Sequence, residues 1–202
     1  MSYACANYPG DEHVGIPIRI ETEYGTIKVE LFDNEAPITT TNFLHYVDDC
    51  LYDQGRFHRT VTADNNANTN LNLTEDEVSS GQVPNDEIAI QVIQASINSD
   101  RTSELDAPIP LERTSETGLK HLDGTLSMAR STPNSAVSDF FICINDQPDL
   151  DFGGMRNPDG QGFAAFGRVT EGMDVVRTIQ SQPAQGQILD PAVPILKIER
   201  EK

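Results

Sequence analysis

Few residues of this 202-residue chain stand in patterns that do chemistry. The four histidines, His13, His45, His58 and His121, lack a metal-ligand spacing such as HExxH. No GxSxG elbow is present and no serine is flanked by a base, so serine hydrolysis has no support. Phosphate-cradling Walker and GxGxxG loops are also missing. Asp149, Asp151 and Asp159 are grouped near one another, but without the DxDxDG spacing of a calcium loop. What stands out is a set of short runs: Phe57-His58-Arg59, Val92-Ile93-Gln94, Ser127-Met128-Ala129-Arg130 and Asp139-Phe140-Phe141-Ile142-Cys143. Arg59 offers a permanently charged, rigid fork of donors, and the phenylalanines offer apolar surface. Taken singly, a strand arginine more often makes a surface ion pair and such a phenylalanine is more often core.

The elements that must carry these runs are legible from periodicity. Ile16–Thr22 and Thr26–Leu31 alternate apolar and polar around Glu23-Tyr24-Gly25, which predicts a strand, a tight turn and a second strand. The stretch from Asp33 to Pro37 opens a helix, with Pro37 early and acids near its start, and Phe43, Leu44, Val47 and Leu51 follow helical spacing. Further strands are expected over Arg56–Val61, Glu87–Ala95, Gly124–Ala129, Asp139–Asn145, Gly162–Val169 and Ile195–Arg200. A second helix is expected over Gly172–Gln182. Many strands and two helices, without βαβ alternation, predict a closed and mostly antiparallel barrel capped by helices.

Composition narrows the function classes. Lys+Arg total 14 against 32 Asp+Glu, a formal charge of −18. Nucleic acid and anionic membranes are therefore disfavoured as partners. No apolar run approaches the roughly 20 residues that span a bilayer. The N-terminus lacks the basic and apolar segments of a secretory signal, which suits a cytosolic start or a chain whose signal has been removed. Cys5, Cys50 and Cys143 contain no CxxC, so Cys50 and Cys143 are expected as buried apolar fillers. Between Thr62 and Glu112 ten acids face one base, Arg101, and five asparagines crowd Asn65–Asn72. The expected organisation is an N-terminal extension over 1–15 and a single domain over 16–202, with an acidic polar insertion around 62–87.

In order along the chain, FHR, APITTTNFLHYVD over Ala36–Asp48, GTLSMAR, SDFFICI, FAAFGRV and EGMDVV form a specific set. With these motifs the sequence resembles the cyclophilins, peptidyl-prolyl cis/trans isomerases, from about Ile16 to Glu199, and FGGMRNPDGQGFAAFGRV resembles a bacterial branch. The resemblance implies an eight-stranded antiparallel barrel with two capping helices. It implies a cofactor-free and metal-free isomerase acting on Xaa-Pro bonds of unfolded or extended polypeptides to assist folding. By residue, it implies that Arg59 is the catalytic arginine, that Gln94 holds that arginine and the substrate carbonyl, and that Phe141 belongs to the catalytic set. Phe141, Leu150 and Val92 match walls of the proline pocket, while the substrate-binding candidate Phe163 falls where many members carry histidine. Ala129, Arg130 and Ser131 match the segment whose backbone pairs with the peptide.

The implied mechanism has a physical basis. Rotation about an Xaa-Pro bond loses amide resonance against a barrier of roughly 18–20 kcal/mol, with uncatalysed times of roughly 10–100 s. At the twisted transition state the prolyl nitrogen gains a lone pair, and a donor that meets it only there lowers the barrier selectively.

The chain departs from the family pattern at several positions. Gln91 replaces a pocket phenylalanine, Ala95-Ser96 a Gly-Gly pair, Asp139 a glutamine, and Arg130 an asparagine of eukaryotic members. Asp149 replaces the tryptophan that helps bind cyclosporin, so weak cyclosporin binding is expected. Asp139 is a further substrate-binding candidate, and is expected to pair with Arg59 or Arg130 and compete for the donor. A second function fits the same barrel, a chaperone or scaffold that binds proline peptides with little turnover. The expectations also include a monomer and, from the bacterial branch, a periplasmic location, with a cytoplasmic one as the alternative.

Overall fold

The computed structural model describes residues 15–66 and 88–201. The expected N-terminal extension and most of the acidic insertion lie outside the described residues. The first two strands, β1 (Ile16–Thr22) and β2 (Gly25–Leu31), pair antiparallel with Thr22 opposite Gly25. Alternation sends Ile18, Ile20, Ile27, Val29 and Leu31 inward, all essentially fully buried. There follow α1 (Pro37–Asp48), β3 (Arg56–Val61), β4 (Val92–Ser96), the one-turn α2 (Thr114–Thr117), β5 (Thr125–Met128) and β6 (Phe140–Cys143). The chain ends with β7 (Ala164–Glu171), α3 (Met173–Gln180), the two-residue β8 (Ala184–Gln185) and the long β9 (Ile188–Arg200). Short 3-10 turns occupy Ser99–Glu104 and Pro148–Leu150.

Eight strands close a ring in the order β1-β2-β7-β5-β6-β4-β3-β9, with β9 returning to β1 through Ile18 opposite Arg200 and Ile20 opposite Ile198. Closure removes open sheet edges, and β8 is only a short hairpin partner of β9. The expected eight-stranded barrel with two capping helices is the architecture observed. One cap is α1, whose Phe43 ring lies 5.2–5.3 Å from those of Tyr52, Phe140 and Phe166. The other is α3, which buries Val175, Val176 and Ile179. Among the described residues no helix is long and apolar enough to cross a membrane.

Several expectations need correction. The Glu87–Ala95 strand begins only at Val92, because side chains take the preceding N–H groups: Ile90 N–H donates to Asn66 Oδ1 at 3.1 Å and Gln91 N–H to Gln147 Oε1 at 3.2 Å. The last strand starts seven residues before Ile195, running through Pro191 and Pro194. Cys143 is buried, but Cys50 is exposed: it follows the end of α1 in a left-handed turn, φ 55°.

The first turn of α1 contains no acid. Its start is instead served by Glu112 from a distant loop, which accepts from Ile38 N–H at 3.1 Å, Thr39 N–H at 2.7 Å and the Thr39 hydroxyl at 2.6 Å. A carboxylate there satisfies orphan amides and faces the positive end of the helix. Glu112→Ala should cost about 1–2 kcal/mol, lowering the melting temperature by roughly 2–8 °C for a chain of this size. Thermal denaturation followed by circular dichroism checks this.

Candidate active site

Of the predicted site residues, Arg59, Val92, Gln94 and Phe141 lie on the outer face of neighbouring strands, while Ala129, Arg130, Ser131, Asp139, Leu150 and Phe163 lie outside the strands. Gln94 on β4 stands opposite Arg59 on β3 and opposite Phe141 on β6, and Phe141 in turn stands opposite Ser127 on β5. Strand alternation alone would not deliver Arg59 to this row. Phe57 faces the core and pairs with Ala95, and two residues later Arg59 would face the core as well. A β-bulge intervenes: between Phe57 and Arg59 the register advances one residue on β4, from Ala95 to Gln94. The extra residue is His58, and the bulge turns Arg59 outward.

Arg59 Nη1–H donates to Gln94 Oε1 at 2.9 Å. On its other edge, Nε–H and Nη2–H donate to Gln187 Oε1 at 3.0 and 2.7 Å. Gln187, far off in sequence at the entry to β9, was not anticipated, and no motif around it signals the role.

Beside this row lies a small apolar cluster separate from the main core: Val61, Ile90, Val92, Phe141, Cys143 and Leu150, with Ala129 and Phe163 partly buried against it. The structure therefore brings the expected wall residues Val92, Phe141 and Leu150 together with Phe163. Val61, Ile90 and Cys143 join them unanticipated, Cys143 having read only as an apolar filler. Phe163 meets Phe141 edge-on, with centroids 5.5 Å apart and planes at 86°. Arg130 holds Phe163 in place. Its guanidinium lies 4.9 Å from the ring centroid, pairs with Asp159 at 2.7 Å and donates to the Gly162 carbonyl. With its side chain only 1% exposed, Arg130 presents its main chain and not its charge to the surface. The neighbouring amides are already used, Ala129 N–H by the Asp139 carbonyl at 2.8 Å and Ser131 N–H by Ser135 Oγ at 3.1 Å.

The expected pairing of Asp139 with Arg59 or Arg130 does not form. Those arginines are drawn to Gln187 and Gln94, and to Asp159, respectively. Asp139 instead accepts from Gln94 Nε2 at 3.4 Å and lies 4.0 Å from His58 Nε2. Burial, with the charges of Arg56 and Arg59, lowers the His58 pKa to about 4, so at neutral pH this approach is not an ion pair.

Behind Phe141 lies an arrangement that no sequence motif announced. His121 Nδ1 lies 2.8 Å from Asp151 Oδ1, and His121 Nε2 lies 2.9 Å from Ser127 Oγ. Burial lowers the imidazole pKa, outweighing the pull of Asp151. The ring is therefore neutral, with Nδ1–H donating to the carboxylate and Nε2 accepting from the serine hydroxyl. This is the hydrogen-bond order of a hydrolytic triad, but Ser127 is 0% and His121 1% exposed, so no substrate reaches the hydroxyl. The ring stacks at 6.2 Å and 17° on Phe141, so the triad backs the apolar cluster to which Phe141 belongs.

Comparison with known proteins agrees with this geometry. A family model described as cyclophilin type peptidyl-prolyl cis-trans isomerase/CLD matches residues 17–200. A peptidyl-prolyl cis-trans isomerase of Acinetobacter baylyi is 32% identical over 178 residues, covering 88% of this chain and 78% of that protein. Peptidyl-prolyl cis-trans isomerase cyp18 of Streptomyces antibioticus is 33% identical over 164 residues, covering 81% and 82%. Peptidyl-prolyl cis-trans isomerase B of Escherichia coli is 30% identical over 166 residues, covering 81% and 83%. The chain belongs to the cyclophilin-type peptidyl-prolyl cis-trans isomerases. Its fold matches that of a Cryptosporidium parvum cyclophilin solved in the presence of the dipeptide Ala-Pro, with a TM-score of 0.67 at 21% identity over 92% of this chain and 99% of that one.

Burial raises the Asp139 carboxyl above its ordinary range, an effect that the Gln94 hydrogen bond and the Arg56 charge only partly offset. The folded state thus holds this proton more tightly than the unfolded chain, and stability is lost as pH rises from the ordinary value through the raised one. Asp139→Asn should therefore melt higher relative to wild type at neutral pH, and the gap should narrow below about pH 4, where the acid is protonated in both states. Melting curves across that range check it.

Proposed function

We propose that this chain accelerates rotation about Xaa-Pro bonds in extended polypeptides, with Arg59 as the donor to the prolyl nitrogen. The observation that carries the reading is the clamp on Arg59 by Gln94 and Gln187 beside the apolar cluster of Val92, Phe141, Leu150 and Phe163. The face of this cluster at the partly buried Ala129 and Phe163 takes the proline ring. The main chain of Arg130, lying between two amides that are already bonded, offers its N–H and carbonyl to the peptide backbone. In the planar ground state the prolyl nitrogen's electron pair is committed to amide resonance, so a donor gains little there. As the bond twists the pair localises, and the guanidinium stabilises it without having to reorganise. No bond to the protein forms. The presence of Ala-Pro with the Cryptosporidium protein, whose fold this chain shares, supports a proline-containing ligand class. Asp149, in the place of a tryptophan, supports weak cyclosporin binding.

Exchange spectroscopy on a short Ala-Pro peptide tests the reading. Catalytic amounts of the protein should bring cis/trans exchange from roughly 10–100 s into the subsecond range, while Phe141→Ala should weaken peptide binding by about 10-fold or more through loss of apolar contact. Binding without exchange in the wild type would instead make the barrel a proline-peptide scaffold.

A further inference from the structure

Gln187 is 1% exposed, and both ends of its side chain are engaged. Oε1 accepts from Arg59 Nε at 3.0 Å and Nη2 at 2.7 Å. Nε2 donates to the main-chain carbonyls of Asn65 and Asn66, each at 2.9 Å. These partners settle the orientation of the amide: reversed, its NH2 would face two guanidinium N–H groups and its oxygen two carbonyls. The main chain of Gln187 is fixed too, its carbonyl accepting from Thr60 N–H at 2.9 Å. The brace beneath it is itself anchored. Asn65 Nδ2 donates to the Thr60 carbonyl at 3.0 Å and to the Gly186 carbonyl at 2.9 Å, while Asn66 Oδ1 accepts from Ile90 N–H at 3.1 Å.

A guanidinium is planar, so holding its Nε–Nη2 edge fixes the plane, and Gln94 on Nη1 fixes the remaining corner. We propose that Gln187 is a positioning residue for the isomerisation, setting the plane of Arg59 against a brace made of the Asn65 and Asn66 carbonyls. This rests on the reading of Arg59 as the donor. Displacing a catalytic group by about 1 Å can cost on the order of 100-fold in rate, and the side-chain hydrogen bonds of Gln187 go to the arginine and to the Asn65 and Asn66 carbonyls. Its loss should therefore slow turnover while sparing peptide binding.

Two substitutions separate orientation from simple support. Gln187→Met fills a similar volume with neither donor nor strong acceptor, and Gln187→Glu keeps the acceptor for Arg59 but gives up the donors to Asn65 and Asn66. For each, the catalysed exchange rate at saturating Ala-Pro peptide, the peptide Kd, the melting temperature and the Arg59 Nε–Hε resonance are measured. Gln187→Met should lose about 10- to 100-fold in rate with Kd unchanged within about twofold, and its Nε–Hε resonance should shift and broaden. Gln187→Glu should recover most of that rate while melting below wild type. A wild-type rate in Gln187→Met, a parallel loss of rate and Kd, or a Gln187→Glu no faster than Gln187→Met would overturn the proposal. Should Gln187→Met fail to fold, Gln187→Glu decides alone: a retained rate despite a lower melting temperature supports the acceptor role, and a lost rate at unchanged Kd overturns it. Should the wild type catalyse no exchange, the donor reading fails, and the Nε–Hε resonance still judges Gln187, an unchanged signal in Gln187→Met counting against it.

Discussion

One extra residue in β3 decides which way the arginine points, and the site depends on it. Without the bulge at His58, Arg59 would stand opposite Ile93, whose side chain is wholly buried in the barrel core. Burying a guanidinium there would cost several kcal/mol unless it were paired and hydrogen-bonded. The bulge keeps Phe57 inside and sends Arg59 outside within one short strand. The approach to Gln94 and the reach to Gln187 both follow from that reversal, and the pairing of β4 with β6 sets Phe141 on the far side of Gln94.

The barrel meets two opposing demands with the same strands. Inward positions of β4, β5 and β6, among them Ile93, Leu126, Phe140 and Ile142, belong to the main core. Outward positions of β4 and β6, Val92, Phe141 and Cys143, form the second apolar cluster beside the polar row. A proline ring needs such a dry wall, and the arginine needs a neighbourhood where its hydrogen bonds do not compete with water. Ser127, His121 and Asp151 show the converse. Their hydrogen-bond order would suit a nucleophile, but burial leaves them only a supporting role, because chemistry requires access as well as geometry.

Most of the barrel was legible in the sequence because alternation is a strong signal wherever one strand face is buried, as in β1 and β2. The same signal failed where another principle overrode it. Prolines within β9 concealed its first half, and acceptors on Asn66 and Gln147 diverted the N–H groups ahead of β4. The cap on α1 came from Glu112, 73 residues from Thr39, and no local pattern reaches that far. Of the site, the motif-bearing residues Arg59, Gln94 and Phe141 were recognisable, and the structure places them side by side. Gln187 was not, since a lone glutamine in a Gly-Gln loop carries no signature, and its role exists only once the chain between it and Arg59, 128 positions away, has folded. The partners of Asp139 were misjudged for a related reason: charge alone suggested an arginine, whereas the fold had already committed both arginines elsewhere.

In the proposed mechanism Arg59 acts on the twisted bond and contributes little to holding the planar peptide. The most direct test measures two quantities on one sample of Arg59→Ala: the equilibrium Kd for an Ala-Pro peptide and its catalysed exchange rate when bound. A Kd close to wild type and an exchange rate lower by about 100-fold or more are expected, the scale of a lost transition-state donor. A variant that loses affinity in proportion to rate, or that exchanges as fast as wild type, would contradict that mechanism.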